Sequence, residues 1–527
     1  MSKTLITIHP KYVIGDISPR LYGGFLEPIG TLVNGSMYNP KHPTADEQGF
    51  RKDFYTALKE SGIPCIRMPG GNYVSGWRWK DSIGPKAARK QHLDLAWNQY
   101  ITNEVGLDEY LQWAEKTGAE PLWTLNLGTD GLNEAIDLVE YTNRKSNTYW
   151  SDLRKKNGHD KPYDIKIWYL GNEVDGPWQI GSFEKDPRSY GVLCHELSKV
   201  MKWTDSRIQT AVCASSSQHL AHYPVWEHEV LEQCYETVDY ISMHHYHAAP
   251  PGDWKALLGG SVYFEDYINT EIALADYLKE EFHSDKKLML SLDEYGSFVR
   301  PLDGYKYPGE HQHVRARFHY PKGGEEEAKE FVLHNPDKMI DEHEAEHHGM
   351  TEALSTASTL LAFMRHADRV KIACMTGGIQ VAAPVTHEGI WKSAAYYPFT
   401  QLMHYGKGLS LQTIYEGDSF DLPGYAIDDV SQNAGRCGLP YIDTAAAMDV
   451  RANNHSSLLN IFAINRDDKN TRPVEFDLSA FGDCTLLEHS EMTSEEGPKA
   501  NTKTVLKNGK LNADLQKLSW NVFRIKL

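Results

Sequence analysis

The sequence predicts an α/β protein: a (β/α)8 TIM barrel with a C-terminal β-sandwich, jelly-roll-like, that also takes the N-terminal strand. From about Arg20 onward, strand-like apolar runs alternate with helix-periodic segments. After about Tyr405 the pattern turns into short alternating strands. Two of the apolar runs, Ile165 to Gly176 (IKIWYLGNEVDG) and Leu288 to Gly296 (LMLSLDEYG), stop at a carboxylate, where barrel enzymes place their chemistry.

Taken in order, residues 1–18 alternate apolar and polar side chains as one strand able to join the sandwich. They lack the basic tip and long apolar centre of a secretory signal, so the expected location is cytoplasmic. Residues 19–404 carry the runs LYGGFLEP, CIRMPGG, PLWTLNLG, IKIWYLGNE, IQTAVCASS, VDYISMHHY, LMLSLDE and RVKIACMTGG, which make the barrel strands. Helical spacers separate them, such as Asp108 to Gly118, acidic at its start and closed by glycine, and Arg188 to Trp203. A doubly wound open sheet is the alternative, but no G-x-G-x-x-G opens a helix after the first strand. A long insertion at about 297–350, rich in Tyr, His, Pro, Gly and Glu, interrupts the barrel, and loops of that length at an active face are usually functional. Residues 405–527 hold SSLLNIFAINR, RPVEFDLSA and KLSWNVFRIKL, the strands of the sandwich.

A chain of 527 residues suits one large domain and a smaller one. Its net charge of −18 argues against a nucleic-acid partner, which requires clustered Lys and Arg, and is compatible with a neutral substrate. No window approaches the ~20 apolar residues of a membrane span. The 7 cysteines are scattered without CxxC pairs, several inside apolar runs, and read as reduced, buried thiols.

Retaining glycoside hydrolysis needs two carboxyl groups ~5–5.5 Å apart, one to protonate the leaving oxygen and one to attack the anomeric carbon. Glu173 and Glu294 close the fourth and seventh predicted strands, whose ends face one another across a barrel mouth. Other strand ends offer hydroxyl-binding groups: Glu27, Arg67 and Asn72 in RMPGGN, Asn126, and His244 and Tyr246 in SMHHY. Arg67 also reads as a buried ion pair beneath the site. Gly70 and Gly71 form a turn or let backbone approach a ligand. Trp77, Trp79, Trp97 and Trp178 are candidates for stacking on sugar rings, with core packing the plainer reading of each.

YGGFLEPIG, IRMPGGN, YLGNEVDGPWQIG, VDYISMHHY, SLDEYG and ADRVKIA, in this order and followed by AAYYPF, resemble glycoside hydrolase family 51, whose familiar members are α-L-arabinofuranosidases. The resemblance implies a retaining exo-acting enzyme that releases terminal arabinofuranose from arabinoxylan- or arabinan-derived oligosaccharides and needs no cofactor. It implies Glu173 as the acid/base and Glu294 as the nucleophile. It further implies Glu27, Asn72, Asn172 and Tyr246 as binders of the furanose hydroxyls and Arg67 as support for the nucleophile. An intracellular homo-oligomer, often a hexamer, is implied as well. In that frame Glu173 is expected to stay protonated, its pKa raised by the nearby charge of Glu294.

The chain departs from the family at two places. Glu294-Tyr295-Gly296 stands where Glu-Trp-Asn is usual, and Ile372-Ala373-Cys374 replaces Ile-Ala-Gln, leaving Gln380 as the candidate substitute for the missing glutamine. A β-D-galactofuranosidase or an endo-β-glucanase on the same site is the alternative activity. A more distant one is a zinc-dependent hydrolase through His343, Glu344 and His347, which match H-E-x-x-H. That segment is acidic nearly all round, without the apolar face such a helix needs, and reads as a solvated surface. His311, His313 and His319 of the same insertion read as surface-loop residues.

Overall fold

The computed structural model describes residues 3–29, 32–97, 99–250, 252–299, 349–383, 392–428, 431–433, 435–450 and 457–527. Eight parallel strands close into a barrel. In chain order they are β1 (Gly23–Phe25), β2 (Cys65–Met68), β3 (Glu120–Thr124), β4 (Ile167–Leu170), β5 (Gln209–Cys213), β6 (Tyr240–Ala249), β7 (Met289–Val299) and β8 (Val370–Met375). Closure is made by β8 against β1, at Cys374↔Gly23. Parallel strands covered by helices are buried on both faces, which is why Ile167-Trp168-Tyr169-Leu170 is apolar without alternation.

Local signals set the helix ends. Leu107–Thr117 stops at Gly118 in the left-handed region (φ 78°), and the Glu109 carboxylate accepts the Gly106 N–H at 2.9 Å. Pro187–Thr204 begins with Asp186 accepting the Ser189 N–H at 3.2 Å and proline in the first turn. The barrel interior is filled by Phe25, Leu122, Ile167 and Tyr169 together with Cys65 and Cys374. All the cysteines are free thiols and five are buried, in line with the expectation for them.

The N-terminal strand, Thr4–Ile17, runs antiparallel to Gly408–Glu416 and parallel to Arg472–Asp477 inside a ten-stranded sheet. Ile6, Ile8, Leu411, Phe476 and Phe523 form the core of that layer. The sheet is joined to the barrel through helix Met350–Arg365. Arg365 Nη1 and Arg466 Nη2 bind the two oxygens of Asp443 at 2.8 and 2.5 Å, and Ser358 Oγ donates to it at 2.5 Å.

One strand differs from expectation in a way that matters. β7 does not end at Glu294 but continues to Val299, paired with an equally extended β6. Between Ser291↔Ser242 and Glu294↔His244 it carries one residue more than its neighbour, a β-bulge. The insertion histidines, including His343, His347 and their partner Glu344, lie outside the described residues.

Candidate active site at the barrel mouth

Arg67 of β2 is the buried hub of the mouth. Its guanidinium lies 5.3 Å from the Phe25 ring and 4.9 Å from the Tyr169 ring. An unpaired buried cation would be prohibitive, and here every arm is engaged. Nε lies 2.9 Å from Asp293 Oδ2, Nη1 donates to Glu294 Oε1 at 2.7 Å, and Nη2 donates to Asn172 Oδ1 at 2.7 Å. In an unbroken strand Asp293 and Glu294 would point to opposite faces. The bulge lets both reach the same arginine.

Glu294 receives a second donor, the Tyr246 hydroxyl, on Oε2 at 2.9 Å. His244 sits between three carboxylates: Nδ1 is 3.0 Å from Glu173 Oε1 and 3.7 Å from Glu294 Oε2, and Nε2 is 3.2 Å from Asp293 Oδ2. Burial opposes its charge, but Glu294, Asp293 and Glu173 outweigh it and raise its pKa to about 10. His244 is therefore an imidazolium that donates from both nitrogens.

Glu173 follows the strand-to-loop break at Gly171 (φ 95°) and itself has φ 45°, a strained value for a non-glycine residue. Its Oε2 accepts the Trp178 indole N–H at 2.6 Å. Its pKa is raised, first by burial and then by the charge of Glu294, against the opposing hydrogen bonds from His244 and Trp178. The sequence-based expectation had the direction and named Glu294; burial is the larger cause. One ligand atom each from Glu173, His244 and Glu294 lie within 4.8 Å of one another, the one group able to hold a cation among the described residues. The His244 proton and Arg67 already supply positive charge there.

Glu27 after β1 accepts the Tyr73 N–H at 2.8 Å and the Trp97 indole N–H at 3.0 Å. Burial, then the Glu294 charge, pushes its pKa to about 8. Gly71 has a definite reason to lack a side chain, since a Cβ there would stand 2.5 Å from Glu27 Oε2. The close approach it allows is thus to a carboxylate of the chain. Asn72 Oδ1 accepts from Asn172 Nδ2 at 3.0 Å and from Gln179 Nε2.

Other candidates lie elsewhere or do other work. Asn126 closes its own loop, donating to Trp77 O and accepting the Gly128 and Thr129 N–H groups. Trp77 is buried against Trp123, and Trp79 against Trp150 and Tyr141, so both are packing. Gln380 lies on the short helix Gly378–Ala382, with its Oε1 buried and without a hydrogen-bond partner among the described residues. Three residues of the network carried no expected role: Asp293, beside Glu294 in the same run; Gln179, whose signal was present in DGPWQIG; and Thr376, 2.8 Å from the Tyr246 hydroxyl.

A family model described as the α-L-arabinofuranosidase 1 domain matches residues 57–256, and one described as the α-L-arabinofuranosidase C-terminal domain matches residues 320–525. An intracellular exo-α-(1→5)-L-arabinofuranosidase of Halalkalibacterium halodurans is 36% identical, over 99% of this chain and 98% of its own length. The chain belongs to the α-L-arabinofuranosidase family. The enzyme of the same description from Bacillus subtilis is 35% identical over 100% of this chain and 99% of its own. Among solved structures, a family 51 α-L-arabinofuranosidase from Bifidobacterium longum superposes with a TM-score of 0.80 at 28% identity, covering 99% of each chain. The family's barrel with its β-sandwich is the fold described above.

Proposed function

We propose that the chain is a retaining exo-α-L-arabinofuranosidase that releases terminal arabinofuranose from arabinan- or arabinoxylan-derived oligosaccharides, with Glu294 as nucleophile and Glu173 as acid/base. One observation carries the assignment: oxygens of Glu173 and Glu294 lie within 4.8 Å of each other. That spacing suits direct attack, whereas an inverting pair stands ~6.5–9.5 Å apart to admit a water. Arg67 and Tyr246 donate to the two oxygens of Glu294 and hold it in place for attack, while burial and the charge of Glu294 raise the pKa of Glu173 as an acid requires.

In the first displacement a Glu294 oxygen bonds to the anomeric carbon as the glycosidic bond breaks and the Glu173 proton passes to the leaving oxygen. The resulting ester removes the Glu294 charge, so the Glu173 pKa falls and it becomes a base. It then takes a proton from water, whose oxygen displaces the ester and restores the original anomeric configuration. In this reading Asn172, hydrogen-bonded to Arg67 and Asn72, contacts the 2-hydroxyl, and Glu27, Trp97, Trp178 and Tyr246 bind the rest of the sugar.

The test is hydrolysis of an aryl α-L-arabinofuranoside with and without azide. Glu173→Ala should be rescued by azide to give the α-configured glycosyl azide, and Glu294→Ala should lose turnover. Undiminished activity in either variant overturns the assignment. The names of the relatives support an intracellular, cytoplasmic protein. Family resemblance supports a homo-oligomer, a hexamer, which analytical ultracentrifugation would test.

A further inference from the structure

The hydroxyl of Thr376 stands 2.8 Å from that of Tyr246, which in turn stands 2.9 Å from Glu294 Oε2. The direction of this chain of hydrogen bonds follows from the inventory of donors. A carboxylate only accepts, so the single phenolic proton of Tyr246 is committed to Oε2. The Tyr246 oxygen is then the acceptor for Thr376, whose own proton points at it. Burial and the Glu294 charge raise the Tyr246 pKa well above that of an ordinary phenol, so the proton stays on the tyrosine.

Thr376 is held as firmly as the residue it serves. It is the first residue beyond β8, and its N–H donates to the Tyr295 carbonyl at 3.0 Å, one residue past the nucleophile. A β-branched side chain restricts χ1, so a backbone clipped to β7 fixes where the hydroxyl points. Glu294 is thereby gripped from two sides of the barrel, by Arg67 of β2 through Oε1 and by a Thr376–Tyr246 relay from β8 and β6 through Oε2.

We infer that Thr376 is a positioning residue for this reaction: its hydroxyl donates to Tyr246 and so directs the phenolic proton onto the nucleophile's Oε2. A hydroxyl that donates while itself accepting is the stronger donor, since hydrogen bonds in series polarise one another. The relay holds one Glu294 rotamer before the substrate binds, and the loss of charge as the ester forms meets a donor already aligned. The inference rests on Glu294 being the nucleophile.

A double-mutant cycle tests it. Thr376→Val keeps shape and removes the donor, and is expected to lower kcat/KM about tenfold, mainly through kcat. Thr376→Ser should return to within about twofold of wild type. In a Tyr246→Phe background, which has no phenolic oxygen to polarise, Thr376→Val should cost almost nothing more. An equal loss in both backgrounds, or a Val variant as active as wild type, overturns the relay. Failure of Ser to rescue would make the role one of shape and overturn it too. Should the Val chain not fold, Thr376→Ala enters the same cycle. A dead Glu294→Ala beside an unaffected Thr376→Val sinks the relay alone, whereas an active Glu294→Ala sinks the reading beneath it.

Discussion

Two buried arginine–carboxylate clusters make an instructive pair. At the joint between barrel and sheet, Asp443 is shared by Arg365 and Arg466, with Ser358 as a further donor and Glu265 binding Arg365 at 2.7 Å. Burial alone would raise the Asp443 pKa, but the two arginines hold it below the usual carboxylate range. At the barrel mouth, Arg67 and His244 face three carboxyl groups, and the sums do not close. Asp293 is held low while Glu173 is driven up. Similar ingredients give a settled rivet in one place and an unsettled acid in the other. Reactivity belongs to the group its neighbours cannot satisfy.

The sharpest way to break this comparison is to remove each hub. Arg67→Met should leave Asp293 and Glu294 buried without their cation, lowering kcat/KM by on the order of 10³-fold or more while also costing stability. Asp443→Asn strands Arg365 and Arg466 and should cost about 3–5 kcal/mol of stability with kcat unchanged below the melting range. Denaturant unfolding and initial rates on the same samples would separate the two. Equal catalytic losses from both would mean that the clusters do not differ in kind.

A smaller effect sharpens the account of Glu173. Its hydrogen bond from His244 lowers its pKa against burial, so His244→Gln should raise that pKa further. The acid must be protonated to work, so the basic limb of the pH–kcat/KM profile should move to higher pH. A limb that moved down would mean that His244 is not the charged donor described here.

The smallest expected effect is at Glu27, whose folded pKa of about 8 lies above the ordinary 4.5. A raised carboxyl adds stability that is fully present below the unfolded value and is lost as pH rises through about 8. Glu27→Gln should flatten the fall in stability between those values, measured by urea unfolding at either end.

Much of this was legible in the sequence. The barrel strands appear as apolar runs because both of their faces are covered, and Glu173 and Glu294 stand out because each interrupts such a run. The Glu294 environment was less legible, because it depends on a bulge. One extra residue between Ser291 and Glu294 leaves the composition of the run unchanged yet turns Asp293 and Glu294 toward a shared arginine. Thr376 was missed for a related reason: a lone threonine in MTGG carries no signal until register places it beside Tyr246. Trp77 and Trp79 pack in the core, as the plainer reading of each had it, and Asn126 closes its own loop, since residues suited to sugar binding also suit loop closure and packing.

The position of Thr4–Ile17 has a consequence for biosynthesis. This strand is translated before the barrel, yet its antiparallel neighbour ends at Glu416 and its parallel neighbour at Asp477. The whole barrel must be translated while the opening strand waits with both edges bare, a template for unwanted pairing. A chain truncated before residue 472 would therefore leave one edge of Thr4–Ile17 unpaired.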